Sequence, residues 1–188
     1  MDVSEAPDTG RRDAVLESAL LTFARHGYRK TSMDEVARSA RISRPGLYFL
    51  FASKQDLFRA AVTRALEQDL AAAGEILEDT AKPVRERLIG AFDRWAGRYI
   101  GPMGRDVPMV IEQNPDLLGP IVHTAPKRFE ELVVAAVGGE GAAGVAQTLI
   151  SASVGLKHQV ETREAYLGRL AIAVDLLVPG RRTGRRRS

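Results

Sequence analysis

Residues 23–57 read FARHGYRKTSMDEVARSARISRPGLYFLFASKQDL, and the signals in this stretch determine how the chain folds. Gly27 predicts that a first helix ends near residue 26, because glycine readily adopts the left-handed conformation that follows many helices. Ser32 and Glu35 stand three residues apart, which is the spacing of a capping box. A second helix is therefore predicted to begin directly after Ser32.

A third, shorter helix is predicted after a very tight turn. Ser43 is a favoured N-cap residue, and Pro45 falls in the first turn, where its missing amide proton would have no partner. Only Arg41 and Ile42 stand between Ser43 and the second helix. Two short helices joined by so tight a turn are typical of a helix-turn-helix motif.

Outside this motif, apolar residues recur at helical spacing along most of the chain. Five prolines between residues 102 and 126 predict short or kinked helices there. No stretch shows the alternating pattern of strands, so the predicted fold class is all-α. The other helices are predicted at residues 11–26, 53–70, 83–101, 127–137, 145–158 and 162–178, with a flexible loop at 138–144.

Charge divides the chain into blocks of different character. The segment 11–60 holds ten Lys and Arg against five Asp and Glu, whereas residues 61–180 hold twelve against sixteen. A basic segment on an acidic body indicates a polyanionic partner for one end only. We therefore predict a disordered arm at 1–10, a helix-turn-helix DNA-binding domain at 11–58, a helical ligand-binding and dimerisation domain at 59–180 and an Arg-rich disordered tail at 181–188.

The ordered pieces within residues 23–57 together resemble the DNA-binding domain of the tetracycline-repressor (TetR) family. Several pieces at fixed offsets are more specific than any single motif. The resemblance implies a homodimeric transcriptional repressor that binds a palindromic operator and releases it when a small molecule occupies the helical body. The pieces that carry it are Phe23 with Gly27-Tyr28, Thr31-Ser32, Val36-Ala37, Ile42-Ser43, Leu47-Tyr48, Phe51 and Ser53-Lys54 with Leu57.

The N-terminal end of the second motif helix enters the major groove in a helix-turn-helix. Arg44 offers two donors to a guanine, a contact worth ~1–3 kcal/mol of discrimination. The alternatives are that Tyr48 is a half-buried packing residue and that Arg44 simply faces solvent. The candidates for contact with DNA at this helix end are Ser43, Arg44, Pro45, Gly46 and Tyr48.

Three further residues are predicted to contact phosphates, where hydroxyl groups and positive charge bind without reading sequence. They are Thr31 and Ser32 at the start of the second helix and Lys54 at the start of the fourth. Ser32 is expected to cap its helix whatever the function, and the alternative for Lys54 is a solvated surface role.

The sequence departs from the family pattern at three places. Arg41 stands where the turn of the motif usually has glycine, which either strains a left-handed position by ~1 kcal/mol or changes the turn. Gly46 replaces a larger side chain and allows closer approach of the backbone. Leu50 stands where a His or Tyr often meets phosphate. These departures bear on the operator sequence and on the affinity.

Large side chains in residues 84–130 have the mostly apolar composition of a ligand pocket. The alternative is that they form ordinary helical core. Proline-interrupted helices at 102–126 would suit a segment that moves when a ligand binds. The predicted pocket residues are Phe92, Trp95, Tyr99, Met103, Met109 and His123.

The sequence contains no motif typical of an enzyme active site. The chain has no cysteine, which excludes a disulfide scaffold and a thiol nucleophile. The three histidines form no His-Glu-x-x-His pair, and the glycines of 138–144 lack the Lys-Ser/Thr ending of a phosphate loop. We predict no enzyme activity, no cofactor and no metal site. No apolar run approaches a membrane span or a signal-peptide core, so a cytoplasmic protein without a membrane partner is expected.

The family resemblance implies a dimer interface in the last two helices, at about 145–178, and Leu170 and Val174 are expected to lie in it. The last helix is apolar over more than one narrow stripe, which predicts burial on two sides. Two functions from different classes remain open. One is a ligand-responsive repressor, and the other is a ligand-independent architectural DNA-binding protein that acts through a protein partner.

Overall fold

The computed structural model describes residues 6–101 and 106–178, and the side chains of 10–101 and 109–178. In these ranges the chain forms ten α-helices, one 3-10 turn at Gly97–Tyr99 and no strand, which confirms the all-α class. The helices are α1 Ala6–His26, α2 Met33–Ser39, α3 Arg44–Leu50, α4 Lys54–Glu78, α5 Val84–Trp95, α6 Asp106–Gln113, α7 Pro115–Leu118, α8 Ile121–Val137, α9 Ala142–Gln159 and α10 Arg163–Leu177.

Five predicted helix boundaries differ from the observed ones. α4 continues to Glu78 and not to residue 70, and α8 begins at Ile121 and not at residue 127. α1 begins at Ala6, so residues 6–10 are helical and not a disordered arm. α5 ends at Trp95 and not near residue 101, because the chain tightens into the 3-10 turn. α9 begins at Ala142, inside the segment expected to be loop, after Gly141 takes a φ of 81°. The predicted arm at 1–5 and the Arg-rich tail at 181–188 lie outside the described residues.

The first compact unit, here the N-terminal unit, comprises the described residues up to 68 together with 106–124. The boundary predicted at residue 58 therefore falls inside α4. The unit extends further because residues of α4, α6 and α7 share one buried cluster with the first three helices. That cluster consists of Val15, Leu16, Ala19, Phe23, Met33, Val36, Ala37, Leu47, Phe51, Leu57, Phe58, Ala61, Val62, Val110 and Leu118.

The second unit, here the helical body, comprises residues 69–101 and 125–178. Within it α10 packs against both α5 and α9. Tyr166 is fully buried, and its hydroxyl lies 2.6 Å from that of Ser153 on α9. Leu170 and Val174 are also fully buried inside this chain. The expectation that these two residues form a dimer interface is therefore wrong, because their side chains already fill the core of one chain.

Candidate nucleic-acid interface

The capping box predicted at the start of α2 is present. Ser32 Oγ accepts a hydrogen bond from the Glu35 amide at 3.2 Å, and the Ser32 amide donates to Glu35 Oε2 at 3.0 Å. The donation from the Ser32 amide holds the pKa of the Glu35 carboxyl below its ordinary value. Ser32 remains exposed at this helix end. Its capping role is thus confirmed, and its contact with phosphate stays a prediction.

Arg41 forms the tight turn between α2 and α3. Its φ of 54° is the one positive value at a non-glycine residue in the described part of the chain. The Arg41 amide donates to the Arg38 carbonyl at 3.2 Å, and the Ile42 amide donates to the Ala37 carbonyl at 3.0 Å. The turn therefore keeps the left-handed form, and the arginine carries a strain of ~1 kcal/mol there.

α3 buries one side and exposes the other. Ser43 caps the helix by accepting the Gly46 amide at 3.1 Å, and Leu47 is fully buried beneath it. Tyr48 on the opposite side is 43% exposed. The N-terminal end of the helix also faces solvent, with Ser43, Arg44 and Pro45 exposed and Gly46 half-buried. The five predicted DNA contacts thus lie together at one outward-facing helix end.

Arg44 is held by two neighbours at this end of α3. Its Nη1 donates to Asp34 Oδ2 at 3.2 Å, and its Nε lies 3.1 Å from Asp34 Oδ1. Its Cζ lies 5.7 Å from the centroid of the Tyr48 ring. Arg44 is therefore exposed and restricted by Asp34 and Tyr48, and the contacts of Arg44 and Tyr48 with DNA stay predictions beside their alternatives.

Phe49 was not singled out by the sequence analysis, although it is 87% exposed. Contiguous exposed apolar side chains mark contact surfaces, and Phe49 adjoins the exposed Tyr48. The signal was available, because Leu47 and Phe51 turn inward and so place position 49 on the outer side. Phe49 extends the exposed face of Arg44 and Tyr48.

Thr31 and Lys54 do not have the roles predicted for them. Thr31 is 1% exposed, and its hydroxyl donates to the Gly27 carbonyl at 2.9 Å, so it cannot reach a phosphate. Lys54 Nζ donates to the carbonyl groups of Tyr28 and Thr31, each at 3.1 Å, and to that of Arg29 at 3.5 Å. The same ammonium lies 4.6 Å from the Tyr28 ring centroid. Lys54 therefore fixes the loop before α2, because its donors are occupied by that loop.

Two other cations of the same loop face solvent. Arg29 and Lys30 are exposed, and neither side chain has a hydrogen-bond or ion-pair partner in the described part of the chain. They border an open groove of about 420 Å³ that His26, Gln113 and Asn114 also line. Free cations beside Ser32 suit contact with a polyanion better than the tethered Lys54 does.

The predicted pocket residues of the helical body include two that are packed together. Phe92 is fully buried and meets Phe129 edge-on, with ring centroids 5.2 Å apart. Trp95 stacks on Phe129, with ring centroids 4.8 Å apart, and is half-buried. This packing favours the core interpretation for Phe92, and a pocket role for the half-buried Trp95 stays a prediction.

Tyr99 belongs to a buried polar cluster around Asp69. The Tyr99 hydroxyl donates to Asp69 Oδ2 at 2.5 Å, and Arg94 and Arg98 each place a guanidinium nitrogen 2.9 Å from Asp69 Oδ1. Burial raises the pKa of the Asp69 carboxyl, and the hydroxyl and the two guanidinium groups oppose that effect. Burial and the bond to Asp69 raise the pKa of Tyr99 as well. The Tyr99 hydroxyl is therefore engaged within the chain.

The remaining predicted pocket residues belong to the other unit or are not described. Met109 is 50% exposed and His123 is exposed, and both belong to the N-terminal unit. Met103 lies outside the described residues. The six residues therefore do not all belong to one unit, and a pocket built from them stays a prediction.

The described residues contain neither a cluster of metal-ligating side chains nor a helix suited to span a membrane. No group of three or more His, Asp or Glu side chains could hold a metal ion among them. None of the helices in residues 6–101 and 106–178 is both long and apolar enough to cross a membrane.

Comparison with known proteins agrees with the geometry of α2 and α3. Residues 15–61 match the sequence model of the family described as "Bacterial regulatory proteins, tetR family". The transcriptional repressor ComR of Escherichia coli is 36% identical over 62 residues, which are 33% of this chain and 30% of ComR. The transcriptional activator FasR of Mycolicibacterium smegmatis is 28% identical over 90% of this chain and 71% of its own length.

The chain spans about a third of the length of the first curated relatives that it matches. Those relatives are transcriptional regulators and not enzymes, in agreement with the sequence-based expectation. A Saccharomonospora viridis regulator solved in complex with choline has the same fold, with a TM-score of 0.73 over 89% of this chain and 96% of that one. Its identity of 19% shows the likeness of fold alone.

Proposed function

We propose that the chain is a transcriptional regulator of the tetR family that binds duplex DNA, on the premise that residues 15–61 match the sequence model of that family. The observation that carries the proposal is the outward end of α3. Arg44, Tyr48 and Phe49 stand exposed there on a helix whose other side is anchored by Leu47 in the core. As a DNA-binding regulator it acts in the compartment that holds the DNA, the cytoplasm of a bacterial cell.

We propose that α3 enters the major groove with its N-terminal end first. Arg44 then donates to a guanine, and Tyr48 and Phe49 contact the walls of the groove. Ser32 and the free cations Arg29 and Lys30 bind the neighbouring phosphates and set the position of the helix without reading sequence. Lys54 contributes by fixing the loop that carries Arg29 and Lys30, and not by binding phosphate itself.

We propose that the outer face of α9 and α10 pairs two copies of the chain. Val154, Ile172 and Leu176 are 52%, 61% and 76% exposed on this face. A shallow groove of about 370 Å³ lies beside them, and its lining includes the small residues Ala152, Gly155 and Ala173. Small side chains allow two helices to approach closely, and one self-complementary patch gives a two-fold symmetric dimer. A two-fold dimer reads a palindromic operator whose half-sites lie ~34 Å apart.

Repression is the simpler of the two regulatory outcomes for such a dimer. Occupying a promoter blocks polymerase by exclusion, whereas activation needs a further surface that polymerase recognises. We propose a repressor that a small molecule in the helical body releases from DNA. The half-buried Trp95, and the choline found in a protein of the same fold, support a body that accommodates an organic molecule.

The second candidate is an architectural DNA-binding protein that responds to no small molecule and acts through a protein partner. The buried edge-on contact of Phe92 with Phe129 and the occupied hydroxyl of Tyr99 favour it, because these groups are already engaged within the chain. Both candidates use the same DNA-binding surface. They differ only in whether a small molecule binds in the helical body and releases the DNA.

Selection of duplexes from a random pool tests the proposal. The expected result is a palindromic consensus with half-sites one helical turn apart, bound with an affinity that falls log-linearly as salt rises. Recovery of no consensus, or a flat response to salt, would contradict DNA recognition. A compound library is then screened for release of the selected duplex, and release separates the ligand-responsive repressor from the architectural protein.

A further inference from the structure

Asp34 lies in the first turn of α2 with its carboxylate against Arg44. The two side chains are ten residues apart in sequence and come from the two helices of the motif. Arg44 donates one hydrogen bond to Asp34 Oδ2 at 3.2 Å, and Arg44 Nε lies 3.1 Å from Asp34 Oδ1. The contact therefore joins an acid on α2 to the cation at the tip of α3.

This ion pair cannot be explained by a contribution to stability. The Arg44 side chain is 62% exposed and that of Asp34 is 52% exposed, and ion pairs so exposed contribute little to folding. What the pair does is restrict the Arg44 side chain, which otherwise samples many rotamers. The Tyr48 ring, 5.7 Å from Arg44 Cζ, borders the guanidinium as well.

Donors remain on Arg44 while this contact is made. A guanidinium has five N–H groups, and the hydrogen bond to Asp34 uses one of them. Even with Nε placed against the same carboxylate, the second N–H of Nη1 and both of Nη2 are not used by Asp34, and two donors suffice for the O6 and N7 acceptors of a guanine. Asp34 and a guanine can thus bind Arg44 at the same time.

The charge of Asp34 has a second consequence for DNA binding. A carboxylate at this exposed position repels phosphates, whereas a guanine edge presents its acceptors without a full negative charge. The carboxylate beside Arg44 therefore weakens the binding of Arg44 to phosphates in general, while its binding to guanine is kept.

We propose that Asp34 is a specificity-determining residue, which orients Arg44 towards guanine and weakens its binding to phosphate. The proposal rests on the DNA-binding function proposed above. Asp34 lowers the affinity for every duplex and raises the ratio between the preferred duplex and others. It acts through Arg44 and is a positioning residue without a contact of its own to a base.

The test compares Asp34→Asn with the unaltered protein on two duplexes, the one selected from the random pool and a scrambled duplex of the same composition. The expected result is tighter binding of the scrambled duplex by Asp34→Asn and a fall of about tenfold in the ratio of the two affinities, a part of what a full guanine contact provides. Asp34→Glu keeps the carboxylate and is expected to restore most of the ratio.

Two controls separate the proposal from a general effect of charge. Glu17→Gln removes one exposed negative charge from α1 and leaves the Asp34–Arg44 pair intact. It should leave the ratio unchanged. In an Arg44→Ala background, Asp34→Asn should no longer change the ratio, because the residue through which it acts is missing.

Other outcomes would overturn the proposal. An equal gain in affinity for both duplexes would show that Asp34 acts through long-range charge alone. A rise in the ratio would show that Asp34 competes with DNA for Arg44. If the unaltered protein itself does not distinguish the two duplexes, the DNA-binding function fails, and this proposal fails with it.

Discussion

The outward faces of α3 and α10 both expose large side chains, yet they differ in chemistry. On α3 the exposed Tyr48 and Phe49 stand beside a cation, Arg44, and an acid, Asp34. On α10 the exposed Ile172 and Leu176 stand beside a groove of small residues. A face that combines aromatic and charged side chains suits a polyanionic partner, with ordered waters in the interface. An apolar face suits contact with another protein surface from which water is excluded. The two faces therefore indicate two kinds of partner for one chain.

The largest effect is expected from placing charge on the apolar face. Ile172→Glu combined with Leu176→Glu would bury two unpaired carboxylates on each side of a dimer, at a cost of several kcal/mol. We expect the dimer to dissociate at least ~1000-fold more easily, as measured by analytical ultracentrifugation.

The control for this variant is Leu21→Glu, which adds a carboxylate at a leucine of α1 that is 58% exposed. It should leave the association state unchanged. A dimer that survives the double substitution would place the interface elsewhere. Charge at Leu170 or Val174 would not answer the question, because both are fully buried in one chain and their substitution would unfold it.

A smaller effect, on the free energy of unfolding, is expected from a substitution in the tightly packed core of the helical body. Gly97 is buried, and a Cβ at this position would lie 2.5 Å from Asp93 Oδ1 and 3.2 Å from Tyr166 Cε1. We expect Gly97→Ala to lower the free energy of unfolding by ~2 kcal/mol, because overpacking forces neighbouring groups to shift. Chemical denaturation measures this loss.

Gly168 offers a matched control on α10, since a Cβ there meets nothing within 4 Å. Gly168→Ala should stabilise the protein by up to ~1 kcal/mol through helix propensity. Equal effects of the two substitutions would show that the contact of Gly97 with Tyr166 is loose.

The smallest effects are expected from substituting two lysines of the N-terminal unit, the inward-facing Lys54 and the outward-facing Lys30. Lys54→Met removes the hydrogen bonds to Tyr28 and Thr31, and we expect a loss of ~1–2 kcal/mol in the free energy of unfolding. Lys30→Met should leave stability unchanged and lower the salt dependence of DNA binding by about one ion. The reverse pattern in melting and in salt titration would show that Lys54 is the phosphate ligand.

Local signals made much of the motif predictable from sequence. The caps at Ser32 and Ser43 and the glycine at 27 act through bonds to near neighbours in the chain, and each is observed where it was expected. The strained turn at Arg41 followed from the same local reasoning. These features depend on spacing alone, so one sequence suffices to find them.

Features that depend on tertiary contacts were missed. The burial of Thr31, and the direction of the Lys54 side chain, whose ammonium lies against the Tyr28 ring, are set by tertiary packing that no spacing rule reveals. The inclusion of α6 and α7 in the N-terminal unit arises from Val110 and Leu118 entering its core. Leu170 and Ile172 have the same hydrophobic character, and only the fold shows that one lies inside and the other outside.

The most direct test of the account is the affinity of the double variant Arg44→Ala and Tyr48→Ala for the selected duplex, with the melting temperature measured in parallel. The account predicts that discrimination between selected and scrambled duplexes falls at least ~10-fold while the melting temperature is unchanged, since both side chains are exposed and the helix is anchored by Leu47. Unchanged discrimination would contradict it, because the outward end of α3 would then not be the surface that reads DNA.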